Sequence, residues 1–246
     1  MREIVYLSEG KLSQFVPERR RLLPRTGTLR VTTPVGGFDV DAPATEGEQS
    51  LARHLRQVDK HMELVSRWYG EPDLRPGQWV QFEVPLRSVT PGGVYQGLVL
   101  FVDQPRSADP AGEEGADCRL LMHGSARHLR GVSPATVDVL EAEDGTGGFS
   151  IGPNFVTRAG QVVRALSAQN DAPDAPDEAG PEGGPTGGLN SRGVRDLLKA
   201  LDEQNGDLDM SVLMTGYARV SALLPETGDE PRCLVASPLT VQILPE

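Results

Sequence analysis

The residues of this chain best suited to chemistry follow one predicted buried strand near its middle. This cluster comprises His123, Gly124, Ser125, Arg127 and His128. Side chains and free backbone N–H groups often converge on a ligand where a strand ends. Gly124 would let a ligand approach the backbone, Ser125 would donate a hydrogen bond, and Arg127 would hold an anion. We therefore predict a ligand-binding loop at residues 123–128 that also includes His128.

The same residues allow a catalytic alternative. Ser125 could act as a nucleophile with His123 or His128 as its general base, which would suit a hydrolase or transferase acting on a phosphorylated or acyl small molecule. The sequence lacks the Gly-x-Ser-x-Gly elbow that would make a serine nucleophile a strong prediction. It therefore leaves the catalytic residues unknown and leans against an enzyme. A plain turn, with histidines that cap it or are half-buried, fits the same residues.

A second segment, near the C-terminus, resembles the one that carries this cluster. Each has a cysteine, Cys118 or Cys233, before an apolar run that ends in a small residue and a serine, and the second serine is Ser237. Each also follows another apolar run, at 98–102 or 217–224. The pattern predicts two antiparallel hairpins related as an internal repeat. We include Ser237 in the predicted ligand-binding site because the two serine loops could lie at one edge of a shared sheet.

The cysteines and histidines do not have the spacing of a metal site. The candidate zinc ligands would be Cys118, His123, His128 and Cys233, but the short Cys-x-x-Cys pairs of structural zinc sites are missing from the sequence. Residues 118 and 123 would also point to opposite faces of a regular strand. No phosphate-binding or dinucleotide-binding glycine motif occurs in the sequence. We therefore predict neither a metal nor another cofactor.

Composition narrows the class of protein. The 246 residues are 38% hydrophobic, and their net charge of −11 argues against general binding of nucleic acids or anionic membranes. No apolar stretch approaches the roughly 20 residues that span a bilayer, and residues 1–6 resemble neither a signal peptide nor a membrane anchor. Both cysteines fall in predicted strands, which favours a reducing compartment over a disulfide framework. The expected location is the cytoplasm.

The clearest predicted helix covers residues 46–69. Its apolar residues recur at alternating spacings of four and three, which places them on one stripe. They are Leu51, Leu55, Val58, Met62, Val65 and Tyr69. Packing of this stripe against a sheet is the simpler interpretation. A homo-oligomer could form through the same helix and would make the chain a self-assembling structural protein.

Hydrophobic periodicity and turn residues predict the remaining elements. Strands are expected at 4–7, 28–33, 38–40, 79–86 and 94–102, in addition to the two hairpins. A helix is expected after Asn154, and another opens at Ser191. An arginine cluster at 17–25 could bind an anion or form a solvated loop.

These elements predict an α+β fold in a single domain over residues 1–246. Residues 171–189 are acidic and rich in Gly and Pro, which predicts a flexible insertion or linker. The last hairpin has too little sequence around it to build its own core, so its strands are expected to return to the main sheet. The predicted architecture is a mixed, mostly antiparallel sheet with helices packed mainly on one face.

Four short segments spread along the chain carry further motifs. They lie at residues 4–12, 53–55, 124–131 and 234–241. In this order they resemble an uncharacterised family of small actinobacterial cytoplasmic proteins. That family starts with Tyr-Leu-x-x-Ser-x-x-Lys, carries a central Gly-Ser-x-x-His-x-x-Gly and closes on small-Ser-Pro-Leu-x-Val. Here Glu9 replaces a usual Asp, and Thr240 stands where an aromatic residue is usual.

The resemblance implies no established activity, but it associates the chain with bacterial defence or signalling systems. We expect a non-catalytic binding or regulatory module of such a system. It would recognise a protein partner or an anionic small molecule through the 123–128 loop. The enzyme and the self-assembling protein described above are the alternatives.

Overall fold

A computed structural model describes residues 3–15, 45–104, 118–137, 153–171, 189–203, 211–228 and 230–245. Side chains are described throughout these ranges except at 45–51, 153–158 and 170–171. The predicted strands at 28–33 and 38–40, the arginine cluster and most of the acidic insertion lie outside the described residues.

Eight strands and four α-helices make up the described part of the chain. The strands are β1 (Glu3–Leu7), β2 (Arg67–Trp68), β3 (Trp79–Pro91), β4 (Leu98–Asp103), β5 (Cys118–Ser125), β6 (Ala135–Val137), β7 (Val212–Leu224) and β8 (Arg232–Ile243). The helices are α1 (Glu9–Phe15), α2 (Thr45–Val65), α3 (Pro153–Asp171) and α4 (Ser191–Glu203). Short 3₁₀ turns at Gly93–Tyr95 and Ala126–His128 precede β4 and follow β5.

Five of these strands close into a barrel. Strand β3 pairs with β7 through residues 79–86 and with β4 through residues 86–89. The ring is completed by β4 with β5, β5 with β8, and β8 with β7. Strands β1, β2 and β6 extend the sheet beyond this ring by pairing with β8 or β3.

The barrel interior holds one apolar core. Strand β3 shows how the sequence builds it, because Val80, Phe82, Val84 and Leu86 alternate with residues that face outward. Inward residues from the other strands meet them, including Phe101 of β4. Burial of apolar area at roughly 25 cal/mol per Å² makes such a core the main source of stability.

Two helix pairs cover different parts of the barrel exterior. Helices α3 and α4 pack over outward residues of β4, β5 and β8, such as Leu100, Leu121 and Val235. Helices α1 and α2 pack instead over β1 and β8, where Leu7 and Leu239 face outward. The mixed helix and strand content that the sequence predicts is present. The open sheet with helices mainly on one face is replaced by a closed barrel with two covers.

The two predicted hairpins are both present. Strands β4 and β5 pair antiparallel, as do β7 and β8. Their cysteine-bearing strands then pair with one another in parallel, with Arg119 opposite Cys233 and Met122 opposite Ala236. The similar segments are therefore neighbouring strands of the barrel.

The predicted helix at 46–69 ends earlier than its periodicity suggests. Helix α2 stops at Val65, and the following residues form β2 by pairing in parallel with β3. Leu55, Val58 and Met62 are buried against α1 and β8 within the same chain. Val65 is 44% exposed, and Tyr69 is buried in the barrel core rather than on the helix stripe.

The later helices lie close to their predicted positions. Helix α3 starts one residue before Asn154, and α4 begins at Ser191. The residue that caps α4 is Asn190, whose Oδ1 accepts a hydrogen bond from the Arg192 amide at 3.0 Å. Such a side chain satisfies an N–H group that has no partner within the helix.

Candidate functional site

The predicted loop is fixed to the barrel by its backbone on both sides. After β5 ends at Ser125, the Ala126 amide donates to the Gly97 carbonyl at 2.8 Å. Leu129 forms a bridge to Tyr6 of β1, and the Arg130 amide donates to the Val5 carbonyl at 2.9 Å. These bonds hold the loop in one shape before any ligand arrives.

Gly124 serves the packing of Tyr6. A Cβ placed on Gly124 would lie 2.6 Å from Tyr6 Cζ and would overlap the Tyr6 hydroxyl oxygen. The Tyr6 ring therefore fills the space that the sequence analysis assigned to a ligand. It also meets Phe101 edge to face, with ring centroids 5.7 Å apart. Gly124 is needed here because any side chain would displace this ring.

His128 is held by contacts at both of its ring nitrogens. Its Nδ1 lies 3.0 Å from the Leu7 carbonyl oxygen, which can only accept, so Nδ1 carries the proton. Its Nε2 then accepts a hydrogen bond from Arg127 Nε at 3.0 Å. The ring also stacks on Tyr6 with centroids 5.8 Å apart. With both nitrogens engaged, His128 positions Arg127 and has no lone pair left to act as a base on Ser125.

Arg127 and Ser125 carry the unused hydrogen-bonding capacity of the loop. Arg127 is exposed, and among the described residues its terminal guanidinium nitrogens have no hydrogen-bond partner. Ser125 is half-buried, and its hydroxyl likewise meets no partner in the described part of the chain. A guanidinium held through Nε but free at its terminal nitrogens is suited to a carboxylate or phosphate.

His123 faces away from this loop surface. It is 2% exposed and shares the outward face of β5 with Leu121, whereas Gly124 faces Tyr6. Its Nε2 lies 3.3 Å from the Ser221 hydroxyl on β7. The structure therefore separates the two histidines of the predicted site, because His123 faces outward on β5 while His128 lies in the turn after that strand.

Ser237 is held by α1. Lys11 Nζ donates to the Ser237 hydroxyl and also to the Pro238 carbonyl at 3.1 Å. Ser237 follows Ala236, the last β8 residue paired with β5. Its side-chain oxygen is therefore already occupied by a cation of the same chain, unlike that of Ser125.

A buried ionic network that the sequence did not predict ties α4 to the barrel. Arg119 Nε contacts Asp103 at 2.8 Å, and its terminal nitrogens contact Asp202 at 3.0 and 3.2 Å. Burial raises the pKa of Asp103, although Arg119 opposes that shift. Burial lowers the pKa of Arg119, but the two carboxylates outweigh it and the net shift is upward. Arg87 also contacts Asp202, at 3.4 Å, so the network joins α4 to both β3 and β5.

The two cysteines lie in the protein interior. Cys118 and Cys233 are free thiols, and burial raises the pKa of each. Both groups therefore stay protonated at neutral pH, which makes them poor nucleophiles and poor metal ligands. Among the described residues, no three His, Cys, Asp or Glu side chains are grouped as a metal site would require.

One further polar region was missed by sequence reasoning. A cavity of about 220 Å³ opens beside α2, on the outward face of β3, β7 and β8. Its polar residues include Asp59, Glu83 and Gln242. The available signal was the alternation of polar and apolar residues in β3, which a solvent-facing strand would show equally well.

Comparison with known proteins identifies no relative of this chain. No family model matches the chain, and neither a curated protein nor a solved structure matches it. The resemblance to the actinobacterial family therefore stays a prediction. Within the described residues, no helix is both long and apolar enough to cross a membrane.

Proposed function

We propose that this protein is a non-catalytic binding module that recognises an anionic group through Arg127, assisted by Ser125. The observation that supports this most directly is the way His128 is used. Its Nε2 accepts from Arg127 Nε, and its Nδ1 is fixed on the Leu7 carbonyl. The arginine is thereby oriented by the fold, while its terminal nitrogens point to an exposed surface.

Orientation of this kind favours affinity because the side chain loses little freedom when a ligand binds. The neighbouring cation, Arg130, is already paired with Glu9 at 2.6 Å. Arg127 is therefore the cation of this loop that remains for an incoming group. The ligand would be a carboxylate or phosphate, carried by a protein partner or by a small molecule.

A role in a bacterial defence or signalling system is the part of the proposal that rests on the family resemblance. A regulatory module of such a system would bind its signal or partner without turning it over. The loop is compatible with that role because the groups around Ser125 bind and orient, and the described contacts give Ser125 no base.

Self-assembly through α2 is the other function that a specific observation favours. The stripe containing Val58 is covered within the chain, so it is already used. Leu64, however, is 85% exposed at the end of the same helix. Replacing Leu64 by Asp should dissociate an oligomer formed there without unfolding the chain. Light scattering at high protein concentration measures the molar mass and therefore the oligomeric state. An unchanged mass in Leu64→Asp would remove this alternative.

The anion-binding proposal is tested by thermal unfolding in the presence of inorganic phosphate, nucleotides, cyclic nucleotides and acyl-CoA compounds. A ligand at 100 times its Kd should add about 2.7 kcal/mol, which is several degrees for a chain of this size. Arg127→Ala should abolish the shift, and Arg127→Lys should weaken it because the planar fork is lost. Arg75→Ala is the matched control, since Arg75 is exposed and no hydrogen bond of its side chain is found among the described residues.

A shift that survives in Arg127→Ala would show that the anion binds elsewhere and would contradict the proposal. If no anion shifts the unfolding temperature, the small-molecule form fails. The protein-partner form is then tested by using wild type and Arg127→Ala as paired baits. A partner retained equally by both would exclude Arg127 as the recognition residue.

A further inference from the structure

The 3₁₀ turn at Gly93–Tyr95 lies beside the loop that carries Arg127 and extends its surface. The Gly97 carbonyl accepts a hydrogen bond from the Ala126 amide at 2.8 Å. Consecutive Cα atoms are about 3.8 Å apart, so the Cα of Tyr95 lies within about 8 Å of that of Gly97. The two turns are therefore parts of one surface, at the end of the hairpin that β4 and β5 form.

A second arginine is held on this surface in the same way as Arg127. Arg164 of α3 donates a hydrogen bond from Nε to the Tyr95 hydroxyl at 3.4 Å. Its side chain is exposed, and its terminal nitrogens have no hydrogen-bond partner among the residues that the structure describes. Arg127 likewise donates from Nε to His128, at 3.0 Å. Each guanidinium is thus held at Nε by an aromatic side chain and keeps its terminal N–H groups for another molecule.

The same surface exposes an apolar side chain. Val94 is 89% exposed, more than any other large hydrophobic residue in the described part of the chain. A Cβ placed on Gly93, the residue before it, would meet nothing within 4 Å, so the tip of the turn is open to solvent. A single exposed valine is ordinary, but this one directly precedes the tyrosine that holds Arg164. The surface therefore offers an apolar contact close to two cations.

The shape of this surface favours a protein over a small molecule. Small ligands usually bind in clefts that cover most of their area. Two cavities are lined by described residues, one beside α2 and one beside α4, and neither includes Arg164 or a residue of the two turns. Protein interfaces, in contrast, are enriched in Arg and Tyr and surround their apolar contacts with polar groups. The two turns and Arg164 have this composition.

Charge indicates what kind of protein segment would bind. The whole chain has a net charge of −11, so an acidic partner is repelled by the protein as a whole. Binding of such a partner therefore needs a local group of cations that are not already paired. Arg127 and Arg164 form such a group, whereas the nearby Arg130 is paired with Glu9.

We propose that this surface binds an acidic segment of a partner protein. One carboxylate would bind Arg127, a second would bind Arg164, and an apolar side chain between them would contact Val94. Arginine and carboxylate groups form two parallel hydrogen bonds in such pairs, which fixes the direction of the bound segment. The inference rests on the proposed function, because it accepts Arg127 as the recognition residue and specifies the partner.

Labelled peptides provide the test. The probes are capped octapeptides of Gly and Ser that carry two Glu residues, two to five positions apart, with one Leu between them. Fluorescence anisotropy should show saturable binding for at least one spacing. The same peptide with Gln in place of Glu should bind about tenfold more weakly, because the charge-assisted hydrogen bonds are lost. Failure of every spacing to bind, or equal binding of the Gln peptide, would overturn the inference.

Arg164→Ala separates this inference from the proposed function. The variant should weaken peptide binding about fivefold, the upper end for an exposed ion pair, and should leave a thermal shift caused by inorganic phosphate unchanged. Arg75→Ala is again the control, because Arg75 is also exposed. Equal affinity in the two variants would overturn the two-arginine surface, even if a phosphate shift that depends on Arg127 still supported the proposed function. Peptide binding that survives in Arg127→Ala would instead contradict the proposed function.

Val94→Ser tests the apolar contact. Val94 is exposed, so the fold should be preserved, and loss of apolar contact area should weaken binding of the Leu peptide about threefold. A peptide with Ser in place of Leu should bind the variant and the wild type equally. An equal loss with both peptides would mean that Val94 supports the shape of the turn and would overturn the proposed contact.

Discussion

The two helix pairs cover the same barrel in different ways. Under α3 and α4 the mostly buried Arg119 is matched by two carboxylates, those of Asp103 and Asp202. Under α1 and α2 the contact is mainly apolar, with Met62 and Leu239 in one buried cluster. A buried polar group that is fully paired holds elements together. Apolar packing does so without polar partners, so the two covers should respond differently when single side chains are removed.

The largest effect should come from opening the matched side. Asp103→Ala removes one carboxylate from Arg119 and the acceptor of the Leu120 amide, a bond of 2.9 Å. Breaking a buried ion pair while leaving one partner in place costs about 3–5 kcal/mol. Arg119 keeps Asp202, but the Leu120 amide also loses its acceptor, so a loss of about 4 kcal/mol is expected. Chemical denaturation measures it.

The control for this prediction is Asp73→Ala, which removes an exposed partner of Arg67. Exposed ion pairs contribute little to stability, so the denaturation midpoint should scarcely move. Similar losses in the two variants would mean that burial does not distinguish the α4 network from a surface pair.

The apolar part of the α2 cover should contribute almost as much. Met62 is fully buried against α1 and β8, and truncation of such a side chain to Ala costs about 2–5 kcal/mol, depending on how far the cavity relaxes. Leu64→Ala, two residues along, should change the free energy of unfolding by no more than about 0.5 kcal/mol, because Leu64 is exposed. A small loss in Met62→Ala would show that α2 is not a required part of the fold.

An intermediate effect is expected at the loop. Gly124→Ala forces the Tyr6 ring away from its place beside His128, and overpacking of this kind costs about 1–3 kcal/mol. In a Tyr6→Leu background, Gly124→Ala should cost less stability than it does in the wild type, because the obstructing ring is gone. If the two changes were simply additive in denaturation experiments, the steric explanation for Gly124 would be wrong.

The smallest effect on stability is expected on the outward face of β3. Glu83→Gln should leave the free energy of unfolding within about 0.5 kcal/mol of wild type, since Glu83 is exposed. Chemical denaturation measures this difference. A large loss of stability would instead place Glu83 with Asp103, among the residues that hold the barrel together.

Local patterns predicted the elements of this fold better than their arrangement. Alternation identified β3 through Val80, Phe82 and Val84, and helical spacing identified α2 through Leu55 and Val58. Closure of the barrel could not be predicted, because it depends on the two halves of β3 pairing with different strands. No local pattern specifies which distant strand meets which half.

The candidate site was likewise predicted only in part, because local patterns do not show which distant residues meet. The sequence located the turn after β5 and its exposed Arg127. It could not show that Gly124 admits Tyr6, because those residues are far apart in the chain and meet only through the fold. Gln242 was not predicted to line a cavity, because an alternating polar residue looks the same in a solvated strand as in a cavity floor.

The position of strand β8 in the barrel has a consequence for folding during synthesis on the ribosome. It is the last strand of the ring, and it pairs with β1, β5 and β7. Until residues 232–243 leave the exit tunnel, those three earlier strands each lack a hydrogen-bonding neighbour. Unpaired edges invite association with other chains, and contacts between distant parts of a sequence form slowly. Newly made chains should therefore be most vulnerable to aggregation before residues 232–243 can pair, when a chaperone that shields strand edges would help most.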